Sequence, residues 1–371
     1  MKIGFLINPV AGMGGKVALK GTDGEDILRR AIELGAVPAA NSRAEIALAV
    51  FREVASNHQF YAPSGEMGGK LLSENGLKPE IVFDPAEKTT ADDTKRAVSL
   101  MLEAGVEAIV FAGGDGTARD VCSVVGEKIP VIGIPAGVKI HSAVYAKRPK
   151  DAGILVKNLL QGKVKRYVLA EVMDLDEDAF RNNAVRAELY GYMKVPDDRE
   201  FMQDRKSGSS GSDTNETLDI AAFTVNGMIE DEIYLIGSGS TTNAIFQMLG
   251  KEGTLLGVDA VVNRELAGKD LMESEIKKLL LDHPKEKRHL VITVIGGQGH
   301  IFGRGNQQLS PDVIRMIPRE NIIIIANSSK MSALFGKSLI ADTGDPVLDE
   351  ELKGYFPVVT GFGKKIMAKV G

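Results

Sequence analysis

The chain has 371 residues, 44% of them hydrophobic, which is enough for about two domains with sizeable cores. Its formal net charge is -5 and no long block of Lys or Arg occurs, so the electrostatic case for nucleic acid as main partner is absent. The single Cys122 excludes an internal disulfide framework and fits a reducing cytosol; no apolar run approaches the ~18 to 20 residues of a membrane span, so no membrane partner is expected and the expected location is cytoplasmic.

Residues 3–7 form a short apolar run that Asn8 and Pro9 break. It is too short for a signal sequence and reads as a first, buried parallel strand. Gly12, Gly14 and Gly15 follow, then Lys16. The spacing is not that of a Walker loop, which leaves either a ligand loop or a plain glycine turn. Helical spacing covers 25–34 and 44–55, with Asn41 and Ser42 available as caps. A second strand is predicted at 59–62, ahead of a loop holding Gly65, Gly68 and Gly69, and a third at 80–83. Thr90 and Asp93 form a capping box for a helix whose apolar face carries Ala97, Val98 and Met101. Capping accounts for Asp92 and Asp93 adequately.

A fourth strand at 107–112 runs into Gly113-Gly114-Asp115-Gly116-Thr117, and an amphipathic helix follows. Glycines at such a turn let backbone N–H groups approach an anion, and the positive end of the helix adds to the attraction. Asp115 is the odd member, because a carboxylate repels phosphate. Its presence suggests that it accepts a hydroxyl proton or holds a cation. The alternative is that it caps a helix beginning near Thr117. A fifth strand at 130–135 leads to Lys139 and His141. Either could contact a phosphate or polar group of an acceptor, and His141 could move a proton near neutral pH; a surface Lys and a satisfied core His are the plainer alternatives.

After a helix around 151–160 the alternation lapses, and 165–174 and 186–195 read as strands. The domain boundary is therefore placed near 150. Glu171, Asp174, Asp176, Glu177 and Asp178 read as a solvated acidic face, since no glycine turn makes them a calcium loop. Residues 206–217, rich in Ser and Gly, predict a mobile loop. A strand at 232–236 enters Gly237-Ser238-Gly239-Ser240-Thr241-Thr242 at a helix start, suited to an anion or to a simple N-cap and turn. Strands are predicted at 255–262, 290–295 and 322–326, a helix at 270–281 and a turn at 342–346. In the stretch 296–307, five of twelve residues are glycine, which implies close backbone approach or tight turns. Arg304 is the side chain there suited to a bidentate phosphate contact.

Gly113-Gly114-Asp115-Gly116-Thr117 resembles the GGDGT signature of the superfamily of NAD kinases, diacylglycerol and sphingosine kinases and, more distantly, phosphofructokinases. Ile7-Asn8-Pro9-Val10-Ala11-Gly12 is similar to the Asn-Pro-x-Ser/Ala-Gly loop of the same kinases. Ile236-Gly237-Ser238-Gly239-Ser240-Thr241-Thr242 is similar to the Pro-Thr-Gly-Ser-Thr-Ala-Tyr loop of NAD kinases. The order and spacing of the three motifs carry the resemblance over roughly the first two thirds of the chain. It looks like the divergent ATP-NAD kinase-like branch that includes the acetoin-catabolism X proteins. The stretch 135–142 departs from both the Gly-Ile-Asn-x-Gly of NAD kinases and the Pro-Leu-Gly-Thr-x-Asn-Asp of lipid kinases. The Asn-Glu pair that holds the dinucleotide in NAD kinases has only Ala187-Glu188 as its nearest equivalent.

The resemblance implies an α/β fold. A Rossmann-like nucleotide-binding domain would span 1–150, and a C-terminal β-rich, α/β substrate-binding domain 151–371, with a tail that could pack back on the first domain and the active site in the cleft between the two. It implies ATP or polyphosphate as donor, Mg²⁺ as cofactor with its ligands unassigned, and Asp115 as general base or acceptor-orienting group. Asn8, Gly12, Gly14, Gly113, Gly114, Gly116 and Thr117 would lie at the nucleotide phosphates. Lys139, His141, Gly239, Ser240, Thr241 and Thr242 would lie on the substrate side. The preferred acceptor is the 2′-hydroxyl of NAD, giving NADP. The rivals are a kinase of another polyol, sugar or lipid headgroup, and a non-catalytic nucleotide sensor; Asp115 argues against the sensor, since a pure phosphate binder would gain by losing that charge. A homo-oligomer is implied by the resemblance as well.

Overall fold

The computed structural model describes residues 1–19, 25–138, 140–175, 187–198, 200–203 and 213–371. In the first part of the chain the short apolar runs become β1 (Lys2–Ile7), β2 (Gln59–Ala62), β3 (Glu80–Ile81), β4 (Ala108–Gly113) and β5 (Val131–Pro135). They pair in parallel in the order β3-β2-β1-β4-β5. β1 is buried from Ile3 onward and β4 throughout, as strands covered on both faces must be. The crossovers carry α1 (Glu25–Glu33), α2 (Ala40–Ala55), α3 (Gly69–Glu74), α4 (Ala91–Glu103) and α5 (Asp115–Val125), and α6 (Pro149–Leu160) follows β5. This is a Rossmann-like sheet, and its strand order reverses between β1 and β4.

Two local expectations need adjustment. α2 starts earlier than its periodicity suggests, so Asn41 and Ser42 sit inside its first turn and cap nothing; the Ser42 hydroxyl donates to the Ala39 carbonyl at 2.9 Å. The Thr90–Asp93 capping box forms, with the Thr90 N–H donating to the Asp93 carboxylate at 2.8 Å.

The chain divides into two compact units, Met1–Met13 with Gly21–Arg205, and Gly14–Lys20 with Lys206–Gly371. The division thus follows Arg205, whereas the alternation of elements placed it near 150. The reason is the antiparallel hairpin of β6 (Tyr167–Leu175) and β7 (Ala187–Pro196). Ala170, Val172, Met193 and Val195 on its inner face join the core of the first unit, and Arg119 of α5 is paired with Asp174 of β6 at 2.6 Å. Asp174 is therefore buried and paired, where a solvated acidic face was expected; Asp176, Glu177 and Asp178 lie outside the described residues.

The second unit contains α7 (Asp213–Asn226), β8 (Ile233–Ile236), α8 (Ser240–Leu249), β9 (Asp259–Val262), β10 (Glu265–Gly268), α9 (Glu273–Leu281) and β11 (Arg288–Thr293). It continues with α10 (Pro311–Arg315), β12 (Ile322–Ile325), α11 (Ser328–Ala333), α12 (Pro346–Glu351), β13 (Gly354–Gly361) and β14 (Lys364–Val370). The result is a β-rich domain built on a seven-stranded sheet of order β10-β9-β8-β11-β12-β13-β14. β8, β11, β12 and β13 are mutually parallel; the outer strands run antiparallel to their neighbours. Alternate residues serve opposite faces. Ile233, Leu235, Leu290 and Ile292 pack with Ile276 of α9 and Val313 of α10, whereas Tyr234, Ile236 and Val291 pack with Ile220 of α7 and Phe246 of α8.

The terminal hairpin β13–β14 was not anticipated from the sequence. It completes this unit's own sheet, so the tail pairs here. Of the segment expected to be a mobile loop, 206–212 lie outside the described residues and α7 begins at Asp213. No described helix is long and apolar enough to cross a membrane.

Residues 14–19 join the second unit at the start of α9, where the Glu273 N–H donates to the Lys16 carbonyl at 3.0 Å and Lys16 Nζ lies 3.6 Å from the Glu273 carboxylate. Burial pushes the Glu273 carboxyl up, but hydrogen bonds from Ser310 and Lys277 and the charges of Lys16 and Lys277 outweigh it and hold the group below its ordinary range. A carboxylate depressed in the folded state adds stability above its unfolded pKa of about 4.3 and loses it as pH falls through the lower folded value. The thermal midpoint is therefore expected to fall on acidification below about pH 4.3, with a shallower fall in Glu273→Gln. Melting curves between neutral and acidic pH test this, and parallel curves for the two proteins would refute it.

Candidate functional site

The loops after β1 and β4 meet at the carboxyl ends of these paired strands, where the strand order reverses. Asn8 ties them together. Its side-chain NH₂ donates to the Thr117 hydroxyl at 2.9 Å, and its side-chain oxygen accepts the Val10 N–H at 3.3 Å. Gly12 has φ +80°, and a Cβ there would stand 2.1 Å from the Ala136 carbonyl oxygen. The Ala136 and Gly137 N–H groups in turn donate to the Gly113 carbonyl at 2.9 and 3.0 Å. Gly113 leaves room for the Thr117 side chain, since a Cβ would lie 2.4 Å from its hydroxyl. Three loops are thereby laced into one cradle.

α5 begins at Asp115 with Gly114 as its N-cap, so Asp115 does not cap a helix starting near Thr117. Its carboxylate, 7% exposed, turns to the loop after β5. One oxygen, Oδ2, accepts the His141 N–H at 2.7 Å and lies 3.2 Å from His141 Nδ1; the other, Oδ1, accepts the Ser142 N–H at 3.0 Å. The loop itself is braced. The Ser142 hydroxyl donates to the Met173 carbonyl at 2.7 Å, Gln203 Nε2 donates to the Ile140 carbonyl at 3.3 Å, and Tyr145 donates through its hydroxyl to the Gly114 carbonyl at 2.5 Å. The first-turn N–H groups of α5 have no partner within the helix, and its positive end faces the same region.

Of the residues singled out from the sequence, the first unit brings together Asn8, Gly12, Gly113, Gly114, Asp115, Gly116, Thr117 and His141. Lys139 lies outside the described residues. Ser142, Tyr145 and Gln203 went unnoticed, because nothing in their local pattern marks a partner so distant in sequence.

Gly14 and the loop Gly239, Ser240, Thr241 and Thr242 belong to the second unit. This loop leaves β8 at the second reversal of strand order, between β8 and β11. Gly239 has φ +134° and a Cβ there would meet Thr293 Cγ2 at 2.6 Å, so close approach to β11 requires glycine. Thr241 and Thr242 are buried, and the Thr242 hydroxyl donates to the Gly239 carbonyl at 2.9 Å. Lys330 of α11 donates to the hydroxyls of Thr241 at 2.9 Å and Thr293 at 3.2 Å. Sequence reasoning missed Lys330; the usable signal is Asn327-Ser328-Ser329-Lys330 directly after the apolar run of β12, a strand end followed by an N-cap.

Arg304, the side chain suited to a phosphate contact in the glycine-rich stretch, is 4% exposed there. Buried Asn306 closes that stretch on itself, accepting the Gly303 N–H and donating to the Ile301 carbonyl, both at 3.0 Å.

The ATP-NAD kinase N-terminal domain matches residues 3–164, and the ATP-NAD kinase C-terminal domain matches residues 230–370. The chain belongs to the ATP-NAD kinase family. Searches of curated proteins and of solved structures found no match. Family membership makes it a nucleotide-binding kinase, and the Asp115 cradle lies within the matched N-terminal domain.

The close approach at Gly12 is testable against Gly35, which has a similar φ of +81° but no atom within 4 Å of an added Cβ. Gly35→Ala is expected to cost about 1 kcal/mol of backbone strain. Gly12→Ala should cost about 1–3 kcal/mol more, because the Ala136 carbonyl must move. Denaturant midpoints report the difference; equal losses would mean that the loop after β1 does not need its tight approach.

Proposed function

We propose that this kinase transfers a phosphoryl group from ATP or polyphosphate to the 2′-hydroxyl of NAD, giving NADP. The observation that carries the reading is the buried Asp115 carboxylate, fixed by two successive amides of another loop and not spent on capping its own helix. A charge of this sign at an anion cradle suits an incoming alcohol, as general base or acceptor-orienting group acting directly or through the His141 imidazole that it holds. The N–H groups around Gly114, Gly116 and Thr117 would hold donor phosphates; within the second unit, the Gly239–Thr242 loop at its helix start is suited to an anion in its own right.

Mg²⁺ belongs to the same proposal. Among the described residues no group of three or more His, Cys, Asp or Glu is arranged to hold a metal. An ion bound there would be carried largely by water and substrate phosphates, as Mg²⁺ usually is. Bound there, it would neutralise charge on the donor.

A second acceptor, another small alcohol, is favoured by one feature. His141 sits on the Asp115 carboxylate, and the 135–142 stretch that carries it is unlike that of NAD kinases or lipid kinases. Incubation with Mg-ATP and NAD, followed by an NADP-specific coupled assay, separates the two readings. NADP formation is expected with wild type, falling at least ~100-fold in Asp115→Asn. ATP consumption only with a different alcohol would replace NAD as acceptor, and tight nucleotide binding without turnover would leave a sensor.

A further inference from the structure

We infer that His141, and not Asp115, takes the proton of the acceptor hydroxyl, Asp115 being the positioning residue that aims the imidazole; this rests on the phosphoryl-transfer reading above. An ionised carboxylate can only accept hydrogen bonds. The nitrogen 3.2 Å from Asp115 Oδ2, His141 Nδ1, must therefore carry the hydrogen, which leaves the lone pair of the neutral ring on Nε2. Nε2 makes no hydrogen bond among the described residues, and the His141 side chain is 9% exposed, so the ring is held in place while that nitrogen stays uncommitted.

The two candidate bases differ in what a proton would do to their surroundings. Both Asp115 oxygens already accept backbone N–H groups, at 2.7 and 3.0 Å. Protonating the carboxylate would weaken those bonds together in a buried place, where an amide cannot turn to water instead. Protonating Nε2 leaves them intact and sets an imidazolium against a carboxylate, which strengthens the contact at Nδ1. The mount is rigid as well. Ser142 Oγ is bonded to Met173 of β6, and Gln203 Nε2 lies 3.3 Å from the Ile140 carbonyl and 3.5 Å from that of Ser142, bracketing His141 on both sides. Of the other charged groups on α5 and β6, Arg119 and Asp174 are paired with each other at 2.6 Å, Asp120 lies 4.0 Å from Lys95, and Glu171 meets the loop through its carbonyl, which accepts the Ala143 N–H at 2.9 Å.

In the step, the acceptor oxygen forms its bond to phosphorus while the bond from phosphorus to the donor's bridging oxygen breaks. That oxygen departs with the electron pair on the shortened donor. The hydroxyl proton moves to His141 Nε2 and is afterwards released to solvent.

The full chain, labelled with ¹⁵N, reports the ring directly: the Nδ1–H tautomer of His141 is expected in wild type at neutral pH, and an Nε2–H tautomer would overturn the proposal without any activity being measured. For catalysis, His141→Ala and His141→Gln are each expected to lower kcat at least ~100-fold with KM for ATP changed by less than about threefold. Added imidazole should restore about tenfold or more of the rate to His141→Ala and nothing to Asp115→Asn, since only the former leaves a space where a base belongs. Melting curves confirm that the variants fold. Retention of most of kcat in both His141 variants, with Asp115→Asn inactive, would return the proton to the carboxylate. If wild type phosphorylates no alcohol in a panel of NAD, polyols, sugars and lipid headgroups, the kinase reading fails first, and the tautomer still decides whether the dyad exists.

Discussion

A buried carboxylate must be answered by donors or it cannot remain ionised, and the site in the first unit is organised around that demand. Asp115 is answered by the consecutive N–H groups of His141 and Ser142, which belong to the loop that leaves the sheet after β5. The 140–142 loop is held with both amides pointed at the one carboxylate. Ser142, Gln203 and Tyr145 hold that conformation from three sides. The same contacts pin α5 by its first turn, so helix, loop and sheet edge are fixed by one requirement.

Each unit also uses the same topological device. A parallel sheet whose strand order reverses opens a crevice at the carboxyl ends of the two strands flanking the reversal. In the first unit these are β1 and β4, and their loops carry Asn8 and the Gly113–Asp115 turn. In the second they are β8 and β11, whose ends carry the Gly239 loop and Thr293. Glycine at positions 12 and 239 serves one end in both cases, allowing the loop to lie against a neighbouring chain segment where a side chain would not fit. The second device differs in its electrostatics: a lysine spans Thr241 and Thr293, where the first places a carboxylate.

What could be read from the sequence follows from the range of the interactions involved. The strands of the first unit are continuous apolar runs, and the Thr90 capping box spans three residues, so both are legible locally. The Gly-Gly-Asp turn is legible as a turn for the same reason. The fate of its carboxylate is not, because its donors stand 26 and 27 residues onward. Lys330 is more remote still, 89 residues from the Thr241 hydroxyl it reaches. The glycine-rich stretch around Arg304 is legible as close approach and tight turns, but its burial and its closure around Asn306 emerge only on packing.

The displaced domain boundary has the same origin and bears on the site. A two-stranded hairpin has too little core to stand alone in water, so β6 and β7 must borrow one. They take it from α5 and β5, burying Val172 and Met193 completely. Having packed there, β6 offers its backbone at Met173 to Ser142 and its Asp174 side chain to Arg119, one turn of helix beyond Asp115. The hairpin thus braces both the loop that holds the carboxylate and the helix that bears it. A reading of secondary-structure alternation alone assigns the hairpin to the domain that follows, since strands after a run of βα units look like a new beginning. Packing assigns it to the domain before, and makes it part of the mount on which the Asp115–His141 pair depends.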